Sequence, residues 1–85
     1  MSDLTDPVIV GRSGDDLLLM RRADASPRRS NAEAQLFTPG RGEFSPIQPL
    51  HLWIKFLPGF EVVEPPLPFE REAVMAEFWR RREER

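Results

Sequence analysis

The chain has 85 residues, no cysteine and a net charge of −2. It is therefore one small domain at most, with no disulfide staple, no thiolate nucleophile and no soft metal ligand. Apolar residues make up 40%, enough for a core and against wholesale disorder. No apolar run reaches the ~18 residues that a bilayer-spanning helix needs. The acidic start, MSDLTDP, lacks the apolar stretch of a secretory signal. Together with the absence of cysteine, this sets the expectation of a cytoplasmic protein.

Charge is laid out in blocks. Residues 1–24 carry five Asp against three Arg, and 25–42 carry three Arg against one Glu. Residues 43–79 carry six Glu against Lys55 and Arg71, and 80–85 four Arg against two Glu. No long block is basic enough to imply nucleic-acid binding from electrostatics alone. The basic residues are eleven Arg to one Lys. A GC-rich genome explains this bias without function; selection for bidentate contacts to carboxylate or phosphate is the functional alternative.

In chain order, residues 1–6 read as a flexible polar lead-in. Val8–Val10 follows Pro7 and reads as a strand. Gly11 to Asp16 is turn-rich, and Leu17–Met20 closes on Arg21-Arg22. The favoured reading is a hairpin pairing Val8–Val10 with Leu17–Arg21. The rival is a short helix capped by Ser13, with Asp15 and Asp16 in its first turn and Arg21 and Arg22 in its last. Residues 23–35 have no large apolar side chain and read as an exposed loop. Leu36-Phe37 and Phe44 flank a Pro-Gly-rich turn and suggest a second small hairpin.

The longest apolar run is Leu50–Leu57. Read as a strand, it turns Leu50, Leu52, Ile54 and Phe56 to the core and leaves Trp53 on a mixed face with His51 and Lys55. A short helix is the rival reading; it would be apolar on nearly all sides, more than so small a domain buries. Pro58-Gly59 suits a corner. Pro65-Pro66-Leu67-Pro68 reads as a stiff polyproline connector. The clearest helix follows, with Glu70 and Glu72 at its start, Arg80, Arg81, Arg82 and Arg85 at its end, and a Glu77–Arg81 pair at i,i+4. Val74, Met75, Phe78 and Trp79 make its apolar face. The expected fold is α+β: a small, bent antiparallel sheet of three to five short strands with this one C-terminal helix packed on it, all within a single domain over 7–85.

No catalytic, metal or cofactor signature survives scrutiny. Gly11-Arg12-Ser13-Gly14 falls short of a nucleophile elbow, and His51, the one histidine, is its only candidate base. Gly40-Arg41-Gly42 lacks the third glycine and the following helix of a dinucleotide loop. Asp15-Asp16 alone supplies too few oxygens for a hard cation, and one histidine without cysteine makes no zinc site. The Arg28-Arg29-Ser30 stretch reads as a solvated loop, with a basic docking spot or kinase-like site as the rival reading.

What remains is a group of aromatics and arginines, the residue types that anchor interfaces. Trp53, Val74, Met75, Phe78, Trp79, Arg80 and Arg82 are the expected partner-binding residues. The expectation is a non-enzymatic accessory subunit, adaptor or inhibitor of bacterial or phage type, binding another protein or itself as an oligomer. The alternative is a nucleic-acid-associated protein using Arg28, Arg29, Arg41, Arg80, Arg81 and Arg82.

Overall fold

A computed structural model describes residues 4–25 and 29–83. The fold is α+β. Six strands and two helices follow one another as β1 (Pro7–Ser13), β2 (Asp16–Arg21), β3 (Glu33–Thr38), β4 (Glu43–Phe44), β5 (Gln48–Pro49), α1 (Leu50–Phe56), β6 (Glu61–Pro68) and α2 (Arg71–Glu83). The antiparallel sheet has the order β4-β3-β2-β1-β6, with β5 pairing the other end of β3. The sheet thus has six strands rather than three to five, and a second helix joins the expected C-terminal one.

The β1–β2 hairpin forms as the sequence suggests, and the rival helix over the leucines does not. Val8 faces Met20 and Ile9 faces Leu19. Ser13 and Asp16 close a two-residue turn whose first residue, Gly14, has φ 61°, a left-handed conformation that glycine adopts at little cost. The register shifts between Ile9 and Gly11, so Val10 and Gly11 together oppose Leu18, as in a β-bulge. The β3–β4 hairpin is also present, with Phe37 opposite Phe44.

Alternation along β1–β3 loads both faces of the sheet. Val8, Val10, Leu18, Met20, Ala34 and Leu50 form one buried cluster, covered by Trp53, Leu57 and Phe60. Leu4, Ile9, Leu19 and Phe37 form the other, covered by Phe44, Phe69, Val74 and Met75. Thus α1 lies on one side and the start of α2 on the other. Leu18, Leu19, Met20 and Phe37 are fully buried, and each contributes about 1.5–3 kcal/mol of apolar burial.

Four expectations need correction. First, Leu50–Phe56 is a helix, not a strand. Its inward stripe is Leu50, Trp53 and Leu57, at i, i+3 and i+7, while Ile54 and Phe56 stay 38% and 68% exposed. The helix does not need burial on all sides because it leaves its outer face in solvent. Its first free N–H groups find partners in the preceding loop: Leu50 donates to the Ala32 carbonyl and His51 to the Ser30 carbonyl, both at 2.9 Å, which replaces a side-chain cap at Pro49.

Second, Pro65–Pro68 does not run as a free connector. It belongs to β6, which pairs β1 in two pieces: Val62 opposite Gly11, and Leu67 and Pro68 opposite Ile9 and Val8. The residues between them bulge out. Prolines are tolerated here because β6 is the sheet's edge. Third, the exposed loop ends earlier than residue 35. Ala34 and Gln35 are buried in β3, and Arg22–Asp24 forms a short 3-10 turn.

Fourth, the described part of the lead-in is docked. Leu4 is 6% exposed in the α2-side cluster. Asp6 accepts the Arg22 N–H at 3.1 Å and pairs with its guanidinium at 2.9 Å.

Gly11 sits under the Phe60 ring, and a Cβ there would overlap Phe60 and crowd the Glu61 carbonyl oxygen. Gly11→Ala is therefore expected to lower stability by about 1–3 kcal/mol, measured by denaturant melts. A neutral result would show that the ring moves aside freely.

Candidate functional site

Beyond its opening residues, α2 is held to the body mainly by its first half. Phe69, just before it, packs edge-on against Phe37 at 5.1 Å and Phe44 at 6.0 Å between ring centres. The Arg71 guanidinium donates to the Gly42 carbonyl at 3.2 Å. Met75 lies against Gly42, whose φ of 63° would strain any larger residue. Val74 and Met75 complete the apolar cluster. Phe78 reaches Gly40.

A cavity of about 390 Å³ lies between α2, the end of β6 and the β1–β2 turn. Ile9, Leu17, Leu67, Val74 and Phe78 form its apolar walls, and Arg12, Asp15, Glu70, Glu77, Arg81 and Arg82 are at its charged margin.

At the far end of α2 the aromatics and arginines gather. Phe78 and Trp79 meet edge-on with ring centres 5.2 Å apart. The Arg82 guanidinium lies 5.6 Å from the Phe78 ring centre and 5.9 Å from that of Trp79, within cation–π range. Trp79 is 46% exposed. Arg81 is paired with Glu77 at 2.6 Å, as the i,i+4 spacing predicts. Arg80 and Arg82 have no carboxylate partner among the described residues.

The structure divides the sequence-derived group. Phe78, Trp79 and Arg82 meet on the distal half of α2, and Arg80 is an exposed residue of the same turn. Val74 and Met75 turn inward as its anchor. Trp53 lies across the sheet, in the α1-side cluster, where its indole Nε1 donates to the Ala34 carbonyl at 3.0 Å. It is a structural pin and shares no surface with α2.

Among the arginines of the alternative group, Arg29 is paired with Asp24 at 3.3 Å, and Arg28 lies outside the described residues. The Ser13 hydroxyl donates to the Pro58 carbonyl at 2.7 Å and so ties the hairpin to the Pro58-Gly59 corner. His51 Nδ1 lies 2.8 Å from the Ser30 carbonyl, which requires the proton on Nδ1. Both side chains hold local structure. Leu67, 42% exposed in the cavity wall, was missed by sequence reasoning. The proline run around it masked its role in an edge strand.

Compared with protein-family models, curated proteins and solved structures, the chain finds no match. No described helix is long and apolar enough to cross a membrane.

Asp16, beside the hairpin turn, has its carboxyl pushed above the ordinary Asp range, chiefly by desolvation and further by Asp15, against a hydrogen bond with Thr38. The folded state thus binds this proton more tightly than the unfolded chain. That contribution to stability is present at low pH and is lost as pH rises through the raised pKa. Asp16→Asn should therefore raise the melting temperature at neutral pH, with the gain shrinking as pH falls into the carboxylate range. A gain independent of pH would contradict this origin.

Proposed function

We propose that this chain is a non-enzymatic protein-binding module, an accessory subunit, adaptor or inhibitor, that docks its partner through the distal half of α2. Its cysteine-free composition suits the reducing cytoplasm. The observation that carries the reading is the Phe78–Trp79–Arg82 cluster, in which Phe78 rests on Gly40 while Trp79 is left exposed on the distal half of α2. Such aromatic–Arg groups supply much of the binding energy where they occur in interfaces. The two rings and the guanidinium already hold one another in place, which reduces the ordering cost of association. The pairing of Arg29 with Asp24 and of Arg81 with Glu77 weighs against a continuous free-cation patch for nucleic acid.

The test is capture of the protein's partner from its native host by the intact chain, Trp79→Ala, Arg82→Ala and Phe56→Ala. Phe56, on the outer side of α1, is the most exposed large apolar residue described, so it controls for generic stickiness. Trp79→Ala should weaken capture about tenfold or more, Arg82→Ala less, and Phe56→Ala not at all. Capture that survives Trp79→Ala, or that consists of nucleic acid and collapses at moderate salt, overturns the reading.

A further inference from the structure

We infer that the cavity beside α2 is a binding site for a small monoanionic amphiphile, a carboxylate on an apolar body, with Arg12 as its anion anchor. Trp79 does not line this cavity, so the site goes beyond the docking proposed for Trp79. The register of β1 positions the anchor. Arg12 lies opposite Leu17, and directly opposed residues of paired strands share a face of the sheet. Its two neighbours turn the other way: a Cβ at Gly11 would point at Phe60, and the Ser13 hydroxyl reaches the Pro58 carbonyl. Arg12 is thereby carried to the face where Leu17 packs on the α2-side cluster, and it lines the cavity.

Arg12 is half-buried there. Its guanidinium has neither a carboxylate nor a hydrogen-bond partner among the described residues. A charge drawn partly out of water beside apolar walls is unfavourable until a counter-charge meets it. The parallel N–H donors of a guanidinium match a carboxylate. Arg82 lines the same cavity, with its guanidinium held over the ring of Phe78, which forms one wall.

The acids at the margin do not make an equivalent cation site. Glu77 is bridged to Arg81. Asp15 and Glu70 are exposed, so water already solvates them. Their charge disfavours a second negative charge on the ligand, which selects a carboxylate over a phosphate dianion. The walls of Ile9, Leu17, Leu67 and Val74 call for an apolar body, which would also cover the exposed part of Leu67. The volume of 390 Å³ is near the lower end of ligand pockets, roughly 300–1,000 Å³. It suits a short chain or a single ring rather than a long lipid.

Decanoate, decanol and decylamine share one apolar chain and differ in head-group charge. Each is titrated into the isotope-labelled intact chain and followed by amide NMR shifts. Decanoate should bind with a Kd of about 100 μM, shifting amides of the β1–β2 turn and α2. Decanol and decylamine should each bind about tenfold more weakly. Arg12→Gln should bring decanoate down to the level of decanol and leave decanol unchanged. Ala73→Leu enlarges a side chain of the cavity wall with a good helix former and should weaken decanoate severalfold. Phe56→Ala, outside the cavity, should change nothing. The dispersion of each amide spectrum checks that the variant is folded. Absence of shifts at the cavity at millimolar decanoate overturns the inference. So does decylamine binding as tightly as decanoate, or decanoate binding that survives Arg12→Gln. Either result leaves the capture experiment with Trp79→Ala to judge the docking reading separately.

Discussion

The central constraint is that β1, β2 and β3 are apolar on both sides. Successive residues of a strand point to opposite faces, so Leu18-Leu19-Met20 and Val8-Ile9-Val10 cannot be buried by one layer. A chain this short has few elements with which to cover two faces. It uses α1, pinned by the Trp53–Ala34 hydrogen bond, on one side. On the other it uses the phenylalanine cluster, Leu4 and the first turns of α2. Little is left over for the distal half of α2, which is why its aromatics remain half-open beside a cavity.

The same constraint explains what the sequence disclosed and what it hid. The β1–β2 hairpin was legible because apolar runs flank a glycine turn. The C-terminal helix was legible because its charges follow its dipole. The helix α1 was not legible, because LHLWIKFL fits a strand's alternation and a helix's stripe equally well. The decision lay outside the segment, in the Ser30 and Ala32 carbonyls that accept its first N–H groups and in the sheet face that needed Leu50, Trp53 and Leu57. The proline run concealed β6 for a similar reason: an extended backbone serves as connector or as edge strand, and only pairing with β1 distinguishes them. Local pattern is a weak guide wherever tertiary context settles between two allowed conformations.

The candidate site was half legible. The sequence alone makes Phe78, Trp79, Arg80 and Arg82 neighbours on the last turns of the helix; Phe78, Trp79 and Arg82 are in mutual contact there. Trp53 was grouped with them because a strand reading left it uncovered; as a helical residue it is committed to the opposite face. This separation of the two tryptophans sharpens the functional reading. One is hydrogen-bonded into the core, and the other is left exposed on α2.

That division of labour is the central claim, and the two tryptophans report on it directly. Trp79 alone emits in Trp53→Phe, and Trp53 alone in Trp79→Phe. Measured by acrylamide quenching in dilute solution, where association is absent, Trp79 should emit to the red and be quenched severalfold more efficiently than Trp53. Equal protection of the two, or a Trp53 more accessible than Trp79, would contradict the account.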